Sequence, residues 1–171
     1  MNVAIIGASG YTGLELIKIL INHPRFNIAY IANSSGEMNV QDLHPCLKNV
    51  INMDVSLANA SEVAKVADLA FLALPHKTAM AFAKDLLNLG VKVVDLSADY
   101  RLSLENYEKH YCEHEDKEHI NEAVYGLPEY FKEDIKTANL IANPGCYPTA
   151  SLLALLPFIE YIDTDAPIFI D

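Results

Sequence analysis

Residues 2–13 read Asn-Val-Ala-Ile-Ile-Gly-Ala-Ser-Gly-Tyr-Thr-Gly, and this stretch decides the fold. Asn2–Ile6 is a short apolar run rich in branched side chains and closed by Gly7, the signature of a strand buried on both faces. Behind it Leu14, Ile17 and Ile21 recur at helical spacing with Leu16, Ile19 and Leu20 beside them, until His23-Pro24 stops the pattern. Gly7, Gly10 and Gly13, three of the chain's seven glycines, stand between strand and helix. Glycine permits a tight turn and a close approach of main chain to ligand, and a helix N-terminus offers free amides to an anion. The spacing is G-x-x-G-x-x-G rather than the commoner G-x-G-x-x-G, which shifts where a pyrophosphate would rest. A plain strand-to-helix turn also accounts for glycines. The flanking strand and helix favour a dinucleotide loop, with Gly7, Ser9, Gly10, Tyr11, Thr12 and Gly13 as its candidate cofactor-binding residues.

Strand and helix alternate outward from there. Strands are expected over Phe26–Ala32, more weakly over Val50–Leu57, and again over Asp68–Leu74, Val91–Leu96 and Asn139–Asn143. Helices are expected over Ser61–Val66, over Thr78–Leu89 with Gly90 at its cap, and from about Pro148 to Tyr161. Ser103–Glu122 is charged and polar and reads as a solvated helix and loop excursion. The order predicts an α/β fold, a doubly wound parallel sheet of Rossmann type. In such sheets ligands lie beyond the carboxyl ends of the strands, so the loops after Ile6, Ala32, Leu74, Leu96 and Ala142 should open on one crevice.

Each of those loops carries candidates. After Ala32 comes Asn33-Ser34-Ser35-Gly36, about 20 residues past the glycines, where an NAD enzyme places an acid for the ribose. Hydroxyls stand there instead, so Ser34 and Ser35 favour NADP over NAD; an ordinary polar loop is the alternative. Pro75 and His76 follow the next strand, His76 as a cofactor or anion contact or simply as a helix-entry residue. Arg101, one of two arginines, follows Asp95-Leu96-Ser97-Ala98-Asp99-Tyr100. Its guanidinium suits a carboxylate or phosphate, or else an internal ion pair with Asp99 or Asp95. The last loop is Asn143-Pro144-Gly145-Cys146-Tyr147-Pro148-Thr149. Its prolines and glycine fix the main chain around a cysteine at a helix start, where the dipole favours a thiolate; a buried structural cysteine is the alternative. A thiolate beside a reducing nicotinamide implies attack on an activated acyl group, loss of the leaving group and reduction of the thioester to an aldehyde, with amides near Gly145 and Cys146 for the oxyanion.

Composition excludes other classes. In 171 residues, 51% hydrophobic and 20% charged, there is room for one sizeable core. Twelve Lys and Arg against 23 Asp and Glu give a net charge of −11 with no basic stripe, so no nucleic-acid partner is expected. No apolar run approaches the roughly 20 residues that cross a bilayer, so no membrane partner is expected. The N-terminus carries no leader pattern. Three cysteines, Cys46, Cys112 and Cys146, build no disulfide scaffold and fit a reducing cytoplasm. His110, Cys112, His114 and His119 match no standard zinc spacing, so no metal is expected.

Together GASGYTG at 7–13, LALPH at 72–76, DLSADYR at 95–101, YGLPE at 125–129 and NPGCYPT at 143–149 resemble N-acetyl-gamma-glutamyl-phosphate reductase, in order and over nearly the whole chain. The resemblance implies NADPH-dependent reduction of N-acetyl-gamma-glutamyl phosphate to N-acetylglutamate 5-semialdehyde and phosphate in arginine biosynthesis. It implies Cys146 as the acyl-carrying nucleophile, NADP(H) on the glycine loop, Ser34, Ser35, Pro75 and His76, and substrate near Arg101, Tyr125, Glu129, Asn143 and Gly145. A non-catalytic dinucleotide-binding module, or a reductase of aspartyl phosphate or an N-acyl aminoadipyl phosphate, stays open as an alternative. Members of that family are about twice as long and carry a second α+β domain that supplies a catalytic histidine and most of the oligomer contacts. The expectation is therefore an NADP-binding domain over 1–147 and the start of the second domain over 148–171, with Pro167–Ile170 as its first strand. Such a chain would bind NADP(H), turn over little by itself, and oligomerise when full length.

Overall fold

Val3 and Ile5 pack with Ile17, Leu20, Ile31 and Val40, while Ala4 and Ile6 face Leu72, Met80, Leu86 and Val93. That division of one strand between two cores organises the computed structural model, which describes residues 1–163 and 165–170. Burying each large aliphatic side chain contributes roughly 1.5–3 kcal/mol, so a five-residue strand suffices at the centre. The chain runs β1 (Asn2–Ile6), α1 (Tyr11–Leu20), β2 (Asn27–Asn33), β3 (Met38–Asn39), α2 (Val40–Leu43), β4 (Asp54–Leu57) and α3 (Ala60–Val66). It continues through β5 (Leu69–Leu72), α4 (Thr78–Asn88), β6 (Lys92–Asp95), α5 (Leu104–His110), β7 (Val124–Tyr125), α6 (Pro128–Thr137), β8 (Leu140–Ala142) and α7 (Cys146–Leu155).

The strands form one sheet in the order β3-β4-β2-β1-β5-β6-β8-β7, parallel throughout except where β3 meets β4. From β1 the chain winds outward to β2 and β4, then returns to β5 on the other side of β1. The reversal leaves a crevice at the carboxyl ends of β1 and β5, where doubly wound sheets bind ligands. Among the described residues no helix is long and apolar enough to cross a membrane.

Several expectations are corrected. The weak third strand is confined to Asp54–Leu57, and β3, α2, β7 and α6 add elements that periodicity did not reveal. Two-residue strands have no period to detect, and α6 buries none of its residues. The last helix begins at Cys146 rather than Pro148. A proline is tolerated in a first turn, whose amides have no intrahelical partner. Pro167–Ile170 forms no strand, and Phe169 is 88% exposed.

The largest correction concerns residues 103–122, which are not simply solvated. Tyr107, Asp116 and His114 are buried. The Tyr107 hydroxyl donates to Asp99 Oδ1 at 2.7 Å, and the Tyr100 hydroxyl donates to Asp116 Oδ2 at 2.8 Å. His114 Nδ1 accepts from the Asp116 amide at 3.0 Å, so its proton sits on Nε2 and is donated to the Asp99 carbonyl at 2.9 Å. His119 Nδ1 lies 2.9 Å from Asp116 Oδ1. Polar side chains are stable in a core when they pair with one another. Burial, reinforced by Asp116 and Asp99 respectively, pushes the Tyr100 and Tyr107 hydroxyls far above the ordinary phenol range and keeps them as donors. Tyr107→Phe preserves the ring but removes a donor from a buried carboxylate, at an expected cost of about 1.5–3 kcal/mol. Urea unfolding should show a lower midpoint at unchanged slope; an unaltered midpoint would show that the network contributes nothing to stability.

Candidate active site

The glycine loop joins β1 to α1. Gly7 turns at φ +91°, and its amide and that of Ala8 both donate to the Ala32 carbonyl, at 2.9 and 3.0 Å. A Cβ on Gly7 would stand 2.1 Å from the Ala73 carbonyl oxygen, and one on Gly13 would stand 2.5 Å from the Gly7 oxygen. Both glycines are thus required by packing. Gly10 differs, because a Cβ there would meet only the Gly7 oxygen at 4.0 Å. Its bare surface faces open space. Gly10 is also the N-cap of α1 and provides no side-chain cap, so the first amides of the helix stay available. Tyr11 and Thr12 begin that helix exposed.

Asn33 ties this loop to the next. Its Nδ2 donates to Ser9 Oγ at 3.0 Å, while its Oδ1 accepts from the amides of Ser35 and Gly36 at 2.9 and 2.6 Å. Ser34 and Ser35 are left exposed beyond the end of β2.

The loops after β5 and β6 are joined in the same way. His76 Nδ1 accepts from the Ala98 amide at 3.0 Å, so the ring carries its proton on the exposed Nε2. Asp99 Oδ2 accepts from the amides of Lys77 and Met80 at 2.9 and 3.2 Å, capping α4 from another loop and fixing Lys77 at φ +70°. Pro75 is exposed at the entry to α4. Asp95, at the end of β6, is fully buried. Its carboxyl lies above the ordinary range chiefly because of burial, against hydrogen bonds from the Ser97 hydroxyl and amide that favour the ionised form.

Arg101 carries the connection to the cysteine loop. It forms no ion pair with Asp95 or Asp99 among the described residues; Nε donates to the Asn143 carbonyl at 2.7 Å and Nη2 to the Leu96 carbonyl at 2.8 Å. Carbonyls orient the guanidinium without neutralising it. A Cβ on Gly145 would lie 3.3 Å from Arg101 Nη1, so glycine at the α7 N-cap lets the cation sit beneath the helix start. Cys146, the first residue of α7, is exposed, and no side chain caps this helix.

The five expected loops therefore meet along one edge of the sheet. Cys146 follows β8 and the glycines follow β1, three strand spacings apart, roughly 14 Å. A ligand touching both must be elongated. Tyr125 pairs in register with Ala142, the residue before Asn143, and packs edge-on against Phe131. Glu129 is exposed in the first turn of α6 and makes no side-chain hydrogen bond among the described residues. Asn33, Asp99 and His44, whose Nε2 lies 2.6 Å from the Ala8 carbonyl, were not singled out from the sequence. Their partners lie 24, 22 and 36 residues away, beyond the reach of local patterns. No cluster of three or more potential metal ligands exists among the described residues.

Residues 2–138 match the family described as semialdehyde dehydrogenase, NAD binding domain. The chain belongs to this family, whose domain binds a nicotinamide dinucleotide. It is 58% identical over 171 residues to the N-acetyl-gamma-glutamyl-phosphate reductase of Sulfurovum sp. strain NBC37-1, covering 100% of this chain and 51% of the relative. Over 169 residues it is 58% identical to the Wolinella succinogenes protein of the same name, covering 99% and 50%. The chain thus spans about half the length of the curated relatives it matches. Among solved structures, the aspartate semialdehyde dehydrogenase with NADP from Candida albicans aligns with a TM-score of 0.66 at 17% identity, over 94% of this chain and 47% of that one. Aspartate semialdehyde dehydrogenase II complexed with ASA from Vibrio cholerae aligns at 0.63 and 20% identity, again over 94% and 47%. At these identities the likeness is one of fold.

The glycines separate approach from packing. Gly10→Ala should cost no more than the roughly 1 kcal/mol of a poorer N-cap and weaken binding of the nicotinamide dinucleotide about tenfold or more, whereas Gly13→Ala should lower the unfolding free energy by at least about 2 kcal/mol. Equal effects of the two substitutions would refute the distinction. Because folding raises the Asp95 carboxyl, ionising it costs stability: the cost is absent below the ordinary value of 3.8 and complete above the folded value. Asp95→Asn should therefore gain on the wild type over the interval that begins near the ordinary carboxyl value and extends upward in pH, read by urea unfolding. A difference that narrows over that interval would contradict this.

Proposed function

We propose that residues 1–147 hold NADPH and present Cys146 for the reduction of N-acetyl-gamma-glutamyl phosphate to N-acetylglutamate 5-semialdehyde and phosphate. The observation that carries the reading is the exposed Cys146 at an uncapped helix start, above Arg101 and on the same sheet edge as the glycine loop. Identity of 58% to relatives named for this reaction supports it over the aspartyl and aminoadipyl phosphates.

In this scheme the pyrophosphate rests on Gly10 and the free amides opening α1. Ser34 and Ser35, with no carboxylate at the end of β2, accept a 2′-phosphate. Pro75 and His76 border the middle of the crevice, His76 as a donor through Nε2. Bound NADPH supplies the hydride. The Cys146 sulfur bonds to the acyl carbon as the carbon–phosphate oxygen bond breaks, and phosphate leaves with the bonding pair. Amides at the start of α7 face the oxyanion, and Arg101 adds a fixed positive charge beside it. Tyr125, Glu129, Asn143 and Gly145 border the acyl group. The segment from 148 onward begins a substrate-side unit, in keeping with α7 burying none of its residues.

Two measurements test this without turnover. Calorimetric titration should give NADPH at least about tenfold tighter binding than NADH. Iodoacetamide should label Cys146 ahead of Cys112, and NADPH should protect Cys146 while leaving the exposed Cys46 reactive. Labelling of all three cysteines that is indifferent to NADPH would support a module without chemistry and defeat the proposal.

A further inference from the structure

His44 lies outside every loop that follows a central strand, yet it is one of the few buried polar residues, 9% exposed. Its Nε2 stands 2.6 Å from the carbonyl oxygen of Ala8 inside the glycine loop, 36 residues earlier in the chain. A carbonyl only accepts, so Nε2 carries the proton and donates. The histidine is firmly mounted. Its amide donates to the Val40 carbonyl and its carbonyl accepts from the Leu47 amide, both at 2.9 Å, and Val40 and Leu47 belong to the core. Pro45 behind it restricts its main chain to the extended region it adopts, φ −130° and ψ 90°.

The consequence lies in the peptide plane. A trans peptide points its C=O and N–H in opposite directions. Holding the Ala8 oxygen toward the buried ring turns the N–H of the same peptide, that of Ser9, toward the exposed side of the loop. The amides of Gly7 and Ala8 are spent on Ala32, and that of Gly10 faces Gly7 O at 3.4 Å. Among the described residues nothing accepts from Ser9 N–H. We propose that His44 is a positioning residue for an anionic ligand of the glycine loop: by pinning the Ala8 carbonyl it aims the Ser9 amide at the pyrophosphate. This rests on the dinucleotide reading given above.

The ring also borders a cavity of about 380 Å³ with Ser9, Gly10, Tyr11, Leu14 and Leu43, so other side chains have room at this position. His44→Phe supplies bulk without a donor, and His44→Gln supplies a donor with less bulk. Calorimetry should show NADPH bound about tenfold more weakly by the Phe variant and within about threefold of wild type by the Gln variant. The reverse order, or equal affinity in all three proteins, would overturn the proposal and leave His44 a packing residue. Failure of the wild type to bind NADPH would instead defeat the dinucleotide reading. Should the Phe variant not fold, nitrogen NMR of the wild type decides. His44 protonated at Nε2, with the Ser9 amide shifted on NADPH addition, is expected; an Nδ1-protonated ring, or an unresponsive Ser9, overturns the inference.

Discussion

At Gly7 the main chain passes so near the Ala73 carbonyl that even a methyl group would be driven into it, 2.1 Å away. This approach locks the end of β1 against the end of β5, the two strands between which the winding of the sheet reverses. Gly13 extends the same constraint, setting α1 directly on the turn. The crevice exists because two glycines let three segments of main chain converge where side chains would hold them apart. Its position is a property of the backbone, independent of the loops that line it.

Those loops are then joined by polar groups withdrawn from water. Asn33 links the first to the second, Asp99 the third to the fourth, and Arg101 the fourth to the fifth. Each linking side chain satisfies main-chain amides or carbonyls, so breaking one link strands groups in two loops. Asp99 is in turn held by Tyr107, which brings the charged excursion after β6 into the support of the site. The apparently solvated segment is a buttress.

The helix starts are capped in different ways: α4 takes its cap from Asp99 of the next loop, and α6 begins at Leu127 without a side-chain cap. The helices α2, α3 and α5 are capped by their own Asn39, Asn59 and Ser103. At the crevice, α1 and α7 begin with Gly10 and Gly145 and have no side-chain cap. With glycine at the N-cap, forgoing a side-chain cap costs each helix only a few tenths of a kcal/mol, and it leaves amides facing the places where a pyrophosphate and an oxyanion would sit. The same economy makes the remote supports necessary: a loop without side chains of its own must be oriented by residues elsewhere, as His44 and Asn33 orient the first one.

Local chemistry made much of this legible in the chain. A run of branched apolar residues, a glycine triplet and a proline-bracketed cysteine each specify structure within a dozen residues, through strand packing, permitted φ and restricted rotation. From them followed the doubly wound sheet, the five loops and the cysteine at a helix start. The short edge strands and α6 were not legible, because they lack an apolar period long enough to register. Nor could any local pattern show that His114 and Asp116 lie in the core, that Arg101 grips two carbonyls rather than an aspartate, or that His44 reaches the glycine loop. Those facts depend on pairs of groups brought together only when distant segments pack, and a hydrogen bond across such a distance leaves no trace in the order of residues on either side of it.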